Sequence, residues 1–275
     1  MADSTRTIAA WEFQAAARSR WVIATAVVFA VLCLAVTMLG MRSLREIGLS
    51  GVGPASAALI NLGILLPGAM GLLLGGNTLV AAREQGVLPM LAVQPVPRTS
   101  IVVGPFLGIA GALVVSILFG YGVAAVVLSG IARSSDIGPL LALVGATVAV
   151  AVACVAIGVC ISSVSRSRLQ ATSSAISLWF LLALGMDLAL VAVAPAMRMG
   201  PVGLLVAVLC NPLEAGRVLA LLAASPDGTV LGPFGAYLVD TFGTKGSAAL
   251  LISSILAWVI APLAVARWVL ARSDL

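Results

Sequence analysis

The charges in this sequence stand so far apart that the gaps between them dictate what the chain can fold into. Trp21–Met41 runs 21 residues without a charge, Ile47–Ala82 runs 36, Thr99–Ala132 runs 34, Ile137–Ser165 runs 29 and Gly246–Ala266 runs 21. Leu169–Met197 is a further run of 29, interrupted only by Asp187. A hydrocarbon core about 30 Å thick needs about 20 apolar helical residues, and every one of these runs suffices. Backbone groups in lipid must be bonded within their own segment, which makes such runs helices. They are too long for barrel strands and lack the alternation. The expectation is an all-α integral membrane protein forming one transmembrane domain over 1–275. Its six spans lie near 21–41, 56–81, 101–129, 139–163, 171–196 and 246–266.

Composition supports this and excludes much else. Of 275 residues 61% are hydrophobic and 9% charged, with a mean hydropathy of +1.19. A soluble domain carries about 25% charged residues, and this chain has too few to coat one. A soluble enzyme, a disordered chain and a disulfide scaffold are therefore excluded. There is no His, which removes Ser-His and Cys-His catalytic pairs and His-ligated metal sites. Cys33, Cys154, Cys160 and Cys210 form no CxxC and read as small buried hydrophobes. The phosphate-loop pattern G-x-x-x-x-G-K-[ST] is absent, so any ATPase driving this protein is another chain.

Residues 201–224 are apolar on average but are broken by Asn211-Pro212 and followed by Glu214 and Arg217. Neither half is long enough to span, which predicts a re-entrant or interfacial hairpin within an external loop over 198–245. Six spans place both termini on one side, together with the 82–100 and 164–170 loops. That side carries nine basic residues against six on the other. The excess is read as topology, not nucleic-acid binding, and it makes the nine-residue side cytoplasmic. The N-terminal run does not read as a cleavable signal peptide.

Several residues stand out. Asp187 is the only ionisable residue well inside a span, which marks either a substrate path or a helix–helix hydrogen bond. Asn61 and Asn77 read as packing or cavity-lining groups, and Pro67 between them predicts a kink. Gly71, Gly75 and Gly76 form a small face fit for close helix approach, within the chain or in a dimer. Residues 1–20 read as an interfacial helix with Ile8, Trp11 and Ala15 on its apolar face, ending at Arg18, Arg20 and Trp21. The 83–98 loop holds a short apolar helix that includes Leu88 and Leu91 and is closed by Pro95 and Pro97. That is the pattern of a docking surface, with an interfacial loop as the plainer alternative.

Three segments together resemble the permease subunits of ABC-2 type transporters. The first is Glu12-Phe13 followed by Arg18-x-Arg20-Trp21. The second is Arg83-Glu84-x-Gly86-Val87-Leu88, then Leu91, Arg98 and Gly104-x-Phe106-Leu107-Gly108. The third, Asn211-Pro212-Leu213-Glu214-Ala215-Gly216-Arg217, is similar to an element of the branch associated with multicopper-enzyme maturation. Pro89 departs from the family's Leu-rich turn, and the acidic pair is reduced to Glu84.

The resemblance implies a multi-pass protein of the bacterial inner membrane that pairs with a second copy of itself and with a cytoplasmic ATPase. ATP and magnesium would be bound by that partner, with no cofactor on this chain. An exporter-type role, a coupling helix over 83–98 and an extracytoplasmic accessory protein are implied as well. Glu214 and Arg217 would pair in the hairpin, as a surface pair of little energetic weight. Two alternatives stay open. One is a secondary carrier or channel using Asp187; the other is a non-transporting scaffold that relays ATPase motion to an outer protein.

Overall fold

The computed structural model describes residues 2–47, 54–87, 97–131, 138–185, 188 and 200–272. Leu88, Leu91 and Asp187 lie outside the described residues, as does most of the second half of the span expected over 171–196. The elements are helices throughout: α1 (Ala2–Ala17), α2 (Arg20–Ile47), α3 (Pro54–Glu84), α4 (Arg98–Ile131) and α5 (Gly138–Val164) come first. They are followed by α6 (Arg168–Phe180), α7 (Pro201–Leu209), α8 (Pro212–Ala224) and α9 (Gly232–Arg272). A π turn, Leu181–Gly185, extends α6.

Four helical segments are long and apolar enough to cross a membrane, and two bent pairs raise the number to six. The first pair is α1 with α2, bent by 62°, and the second is α7 with α8, bent by 114°. The first bend is what an interfacial helix leading into a span requires. The second folds 201–224 back on itself, as the interrupting Asn211-Pro212 predicts. The 198–245 segment is helical beyond its hairpin as well. It contains α7, α8 and the first part of α9, which starts at Gly232 and is interrupted only at Gly243 (φ 68°). Asp240 and Lys245 ended the charge-free window there, but charge limits burial in lipid, not helix formation. Continuity likewise survives at Pro67, Pro105 and Pro262, each inside a helix.

The frame is the pair α3 and α5, which touch backbone to backbone. A Cβ on Gly75 would stand 2.5 Å from the Val155 carbonyl oxygen, one on Gly71 2.7 Å from that of Ala151, and one on Gly158 2.6 Å from that of Leu72. The small face of α3 is thus spent within the chain. In lipid there is no hydrophobic drive to pair helices, so close packing through small residues supplies the attraction. Hydrogen bonds reinforce it: the Ser162 hydroxyl accepts from the backbone N–H of Val80 at 3.0 Å. Thr172 of α6 donates to Asn77 at 3.2 Å, which makes Asn77 helix-to-helix glue, while Asn61 is exposed. Tyr121 of α4 seats its hydroxyl against Gly63 and bonds Thr147 of α5 at 3.1 Å. Phe29 of α2 meets the same tyrosine edge-on, with centroids 5.2 Å apart.

Cys33 and Cys154 are buried as expected, but Cys160 is only partly so and Cys210 is exposed. Cys210 ends α7 at the hairpin corner, where the chain turns instead of packing.

This frame makes a direct prediction. Gly158→Ala forces a methyl group into the α3 backbone and will destabilise the folded protein by about 1–3 kcal/mol. Gly122→Ala, at a position with open space around it, will be neutral or stabilising by under about 1 kcal/mol. Thermal unfolding of the detergent-solubilised protein checks both.

Candidate functional site

Three sets of side chains, each built by different elements, hold the residues that the sequence singles out. The first is at the end where α3, α4, α6 and α9 meet. α3 closes with Gly86 in the left-handed region (φ 71°), its N–H donating to the Arg83 carbonyl at 3.1 Å. Only a residue without Cβ adopts that φ without cost, which accounts for the glycine there. Glu84 then reaches α6. Its Oε2 lies 2.9 Å from Nε of Arg168, and its Oε1 accepts the Arg168 backbone N–H at 3.0 Å. A carboxylate over the first turn of a helix also meets the unbonded N–H groups and positive end of that helix. Both side chains are half-exposed, so the pair alone contributes under about 1 kcal/mol. Arg83 donates to the Ser165 carbonyl at 2.8 Å, a second tie to the same corner.

Arg98 is placed differently. From the start of α4 its Nη1 donates to the carbonyls of Ala271 at 2.6 Å and Leu270 at 3.1 Å. Those carbonyls lie in the last turn of α9, where a helix end offers its carbonyls to donors from other elements. The segment between Glu84 and Arg98 is therefore pinned at one end to α6 and at the other to α9. Val87 faces a cavity between α1, α3 and α4.

The second set is α1 on α4. Gly104 takes Ile8, Gly108 takes Glu12 with the backbone around Phe13, and Gly111 takes the Phe13 ring. Two segments of the sequence, Glu12-Phe13 and Gly104-x-x-x-Gly108, are thus one contact. α1 packs one side on α4 and leaves another side open. Ile8 and Glu12 pack inward, whereas Trp11 is 61% exposed and Ala15 is exposed. The glycine row selects the face: a helix must present its side chains where the neighbour lacks them. Glu12 is consequently half-buried, and desolvation pushes its carboxyl above the usual carboxylate range. Arg18 and Arg20 stay exposed at the bend; Trp21 lies in α2, and its side chain is outside the described residues.

The third set is the hairpin. Asn211 caps α8: its Oδ1 accepts the Leu213 N–H at 3.0 Å, and its Nδ2 donates to the Leu182 carbonyl in the π turn at 2.7 Å. Pro212 occupies the first turn of α8, where its missing N–H costs nothing. The last carbonyl of α7, that of Leu209, takes Ser254 Oγ at 2.8 Å and Trp258 Nε1 at 3.1 Å from α9. α6 and α9 thus grip the corner of the hairpin from two sides. α8 packs against α5, with Gly216 on Val150, and against α3, with Leu213 on Gly68. Glu214 and Arg217 do pair, at 2.7 Å, but not on the surface: Glu214 is 6% exposed. The sequence suggests a surface pair because both are charged in a presumed loop; α8 instead lies in the bundle.

Sequence reasoning missed the α6 and α9 partners. Arg168 counts only as a topology charge when read alone, and its partner Glu84 is 84 residues away. Trp258 and Ser254 read as ordinary span residues, with no local signal of the carbonyl they bond.

Comparison with known proteins follows the same elements. The profile of the ABC-2 family transporter protein matches residues 6–275. A protein of Stutzerimonas stutzeri named "Probable ABC transporter permease protein NosY" is 28% identical over 231 residues, which is 82% of this chain and 84% of that one. A Pseudomonas aeruginosa protein of the same name is 28% identical over 233 residues, again 82% of this chain, and 85% of its own length.

The buried pair in α8 makes the second prediction. Removing one partner, as in Arg217→Met, leaves a buried charge and will cost about 3–5 kcal/mol. The double replacement Glu214→Leu with Arg217→Met will cost clearly less than either single change. Thermal unfolding of the three variants measures the difference.

Proposed function

This chain belongs to the ABC-2 family of transporter proteins as a permease subunit, and from that premise we propose how it couples to its ATPase. The proposed unit is a homodimer in the bacterial inner membrane, with both termini and the 83–98 segment on the cytoplasmic side. A cytoplasmic ATPase, holding ATP and magnesium, docks on the apolar residues Leu88 and Leu91. The direction is export, and an extracytoplasmic accessory protein works with the outer loops. The resemblance of Asn211–Arg217 to the multicopper-enzyme-maturation branch makes copper-enzyme maturation the pathway it serves.

The observation that carries the coupling is the double pinning of the 83–98 segment. A push on that segment reaches α6 through Glu84–Arg168 and α9 through Arg98 on the Leu270 and Ala271 carbonyls. Those two helices are also the ones that grip the hairpin corner, at Leu182 and at Ser254 and Trp258. Motion at the cytoplasmic end thereby arrives at a re-entrant hairpin seated among α3, α5 and α9. Packed helices shift as units, so small displacements at the segment move the hairpin without unfolding it.

The test separates docking from relay. Leu88→Asp will remove the ATPase from a tagged pull-down while the permease stays in the membrane fraction. Glu84→Gln combined with Arg98→Gln will retain the ATPase but lower its permease-stimulated hydrolysis several-fold. Full ATPase recovery with Leu88→Asp, or unchanged stimulation with the double variant, refutes the corresponding half.

A further inference from the structure

Beneath α1 lies a cavity of about 490 Å³, bounded by α1, α3 and α4. This is within the range of pockets that hold small organic ligands. Its walls are mostly apolar, with Ile8, Leu79, Ala82, Ile101 and Pro105 among them. Thr78 also lines it, but its hydroxyl already donates to the Gly75 carbonyl at 2.7 Å. Glu12 is the single ionisable side chain among the described lining residues. It is there because Gly108 leaves room for its Cβ, which turns the carboxyl inward from the face of α1. Among the described residues it makes no hydrogen bond or ion pair, in contrast to Glu84 and Glu214, each of which holds an arginine.

A half-buried carboxylate without a partner is costly, and an apolar cavity beside it cannot solvate it well. A ligand that meets both conditions carries a cationic, hydrogen-bond-donating head and a hydrocarbon body. We propose that this cavity binds an amphiphile with a primary ammonium head, the head on Glu12 and the tail between Ile8, Leu79 and Ile101. A membrane lipid headgroup and a free amphiphilic amine share this chemistry. The site adjoins the coupling segment, since Gln85 and Val87 also line it, but the two pinning residues, Glu84 and Arg98, do not.

Trp11, also on the cavity wall, supplies the reporter. The protein is placed in phosphatidylcholine nanodiscs, and its tryptophan fluorescence is titrated with bromododecylammonium. Saturable quenching is expected, and Trp11→Phe will remove its saturable part. Glu12→Gln keeps the shape and removes the charge, and will raise the midpoint at least about tenfold, as the loss of one charged hydrogen bond requires. Neutral bromododecanol will quench both proteins with the same midpoint, which shows that the cavity persists in the variant. An unchanged amine midpoint in Glu12→Gln, or an equal shift for the alcohol, overturns the proposal. Replacing the lipid by phosphatidylethanolamine then identifies the source. A raised amine midpoint means the lipid headgroup occupies the site; an unchanged one means a free amine does.

Discussion

Everything in this molecule depends on two helices being allowed to touch along their backbones. Gly71 and Gly75 on α3 meet Ala151 and Val155 on α5, and Gly158 on α5 meets Leu72 on α3. Apolar side chains gain nothing by leaving lipid for one another, so a membrane bundle must be held by close contact and by hydrogen bonds. The α3–α5 pair has both, with the Ser162 hydroxyl on the Val80 N–H and Asn77 bonded across to Thr172. The same device is used twice more. Gly68 and Gly216 seat α8 in the bundle, and Gly104, Gly108 and Gly111 seat α1 on α4. Glycine here is chiefly a vacancy for a neighbour; only at Gly86, in the turn that closes α3, does its φ matter to the site.

Polar side chains then decide how the elements are linked. They are few, and several of them end on a helix terminus. Glu84 meets the start of α6, Arg98 the end of α9, Asn211 the start of α8 and a π turn, and Trp258 with Ser254 the end of α7. Helix ends carry the backbone groups that a helix cannot bond itself, and in apolar surroundings each such group is expensive to leave bare. The requirement to satisfy them draws separate segments of the chain together. It also joins the two ends of the 83–98 segment to the hairpin corner through two helices.

Much of this was legible beforehand. Charge-free runs predict the helices because the spacing of charges follows directly from the thickness of the apolar phase. Asn211-Pro212 predicts the break between α7 and α8, since a cap followed by proline starts a helix. The Gly71–Gly75 face predicts a close contact. Glu84, Gly86 and Arg98 were singled out, although their observed bonds are within the chain. What failed did so for identifiable reasons. The charge-free window that opens at Gly246 hides the start of α9 at Gly232, because charge limits burial in lipid and not helix formation. Glu214–Arg217 reads as a surface pair because both residues are charged in an external segment, whereas α8 lies in the bundle.

The sequence by itself determined that this chain is built of apolar helices fit to cross a membrane, and which residues are too polar or too small to be ordinary span residues. These are properties of a segment and its solvent, and a segment carries them alone. Only the tertiary structure decided that α3 spends its small face on α5, that Glu12 turns inward over Gly108, that Glu84 belongs to Arg168, and that Leu209 is held by Trp258. Each of these joins residues far apart along the chain, 84 positions in one case and 49 in another. No local pattern records such a pairing, because it is selected by which vacancies and which unbonded helix ends the packed bundle brings within reach.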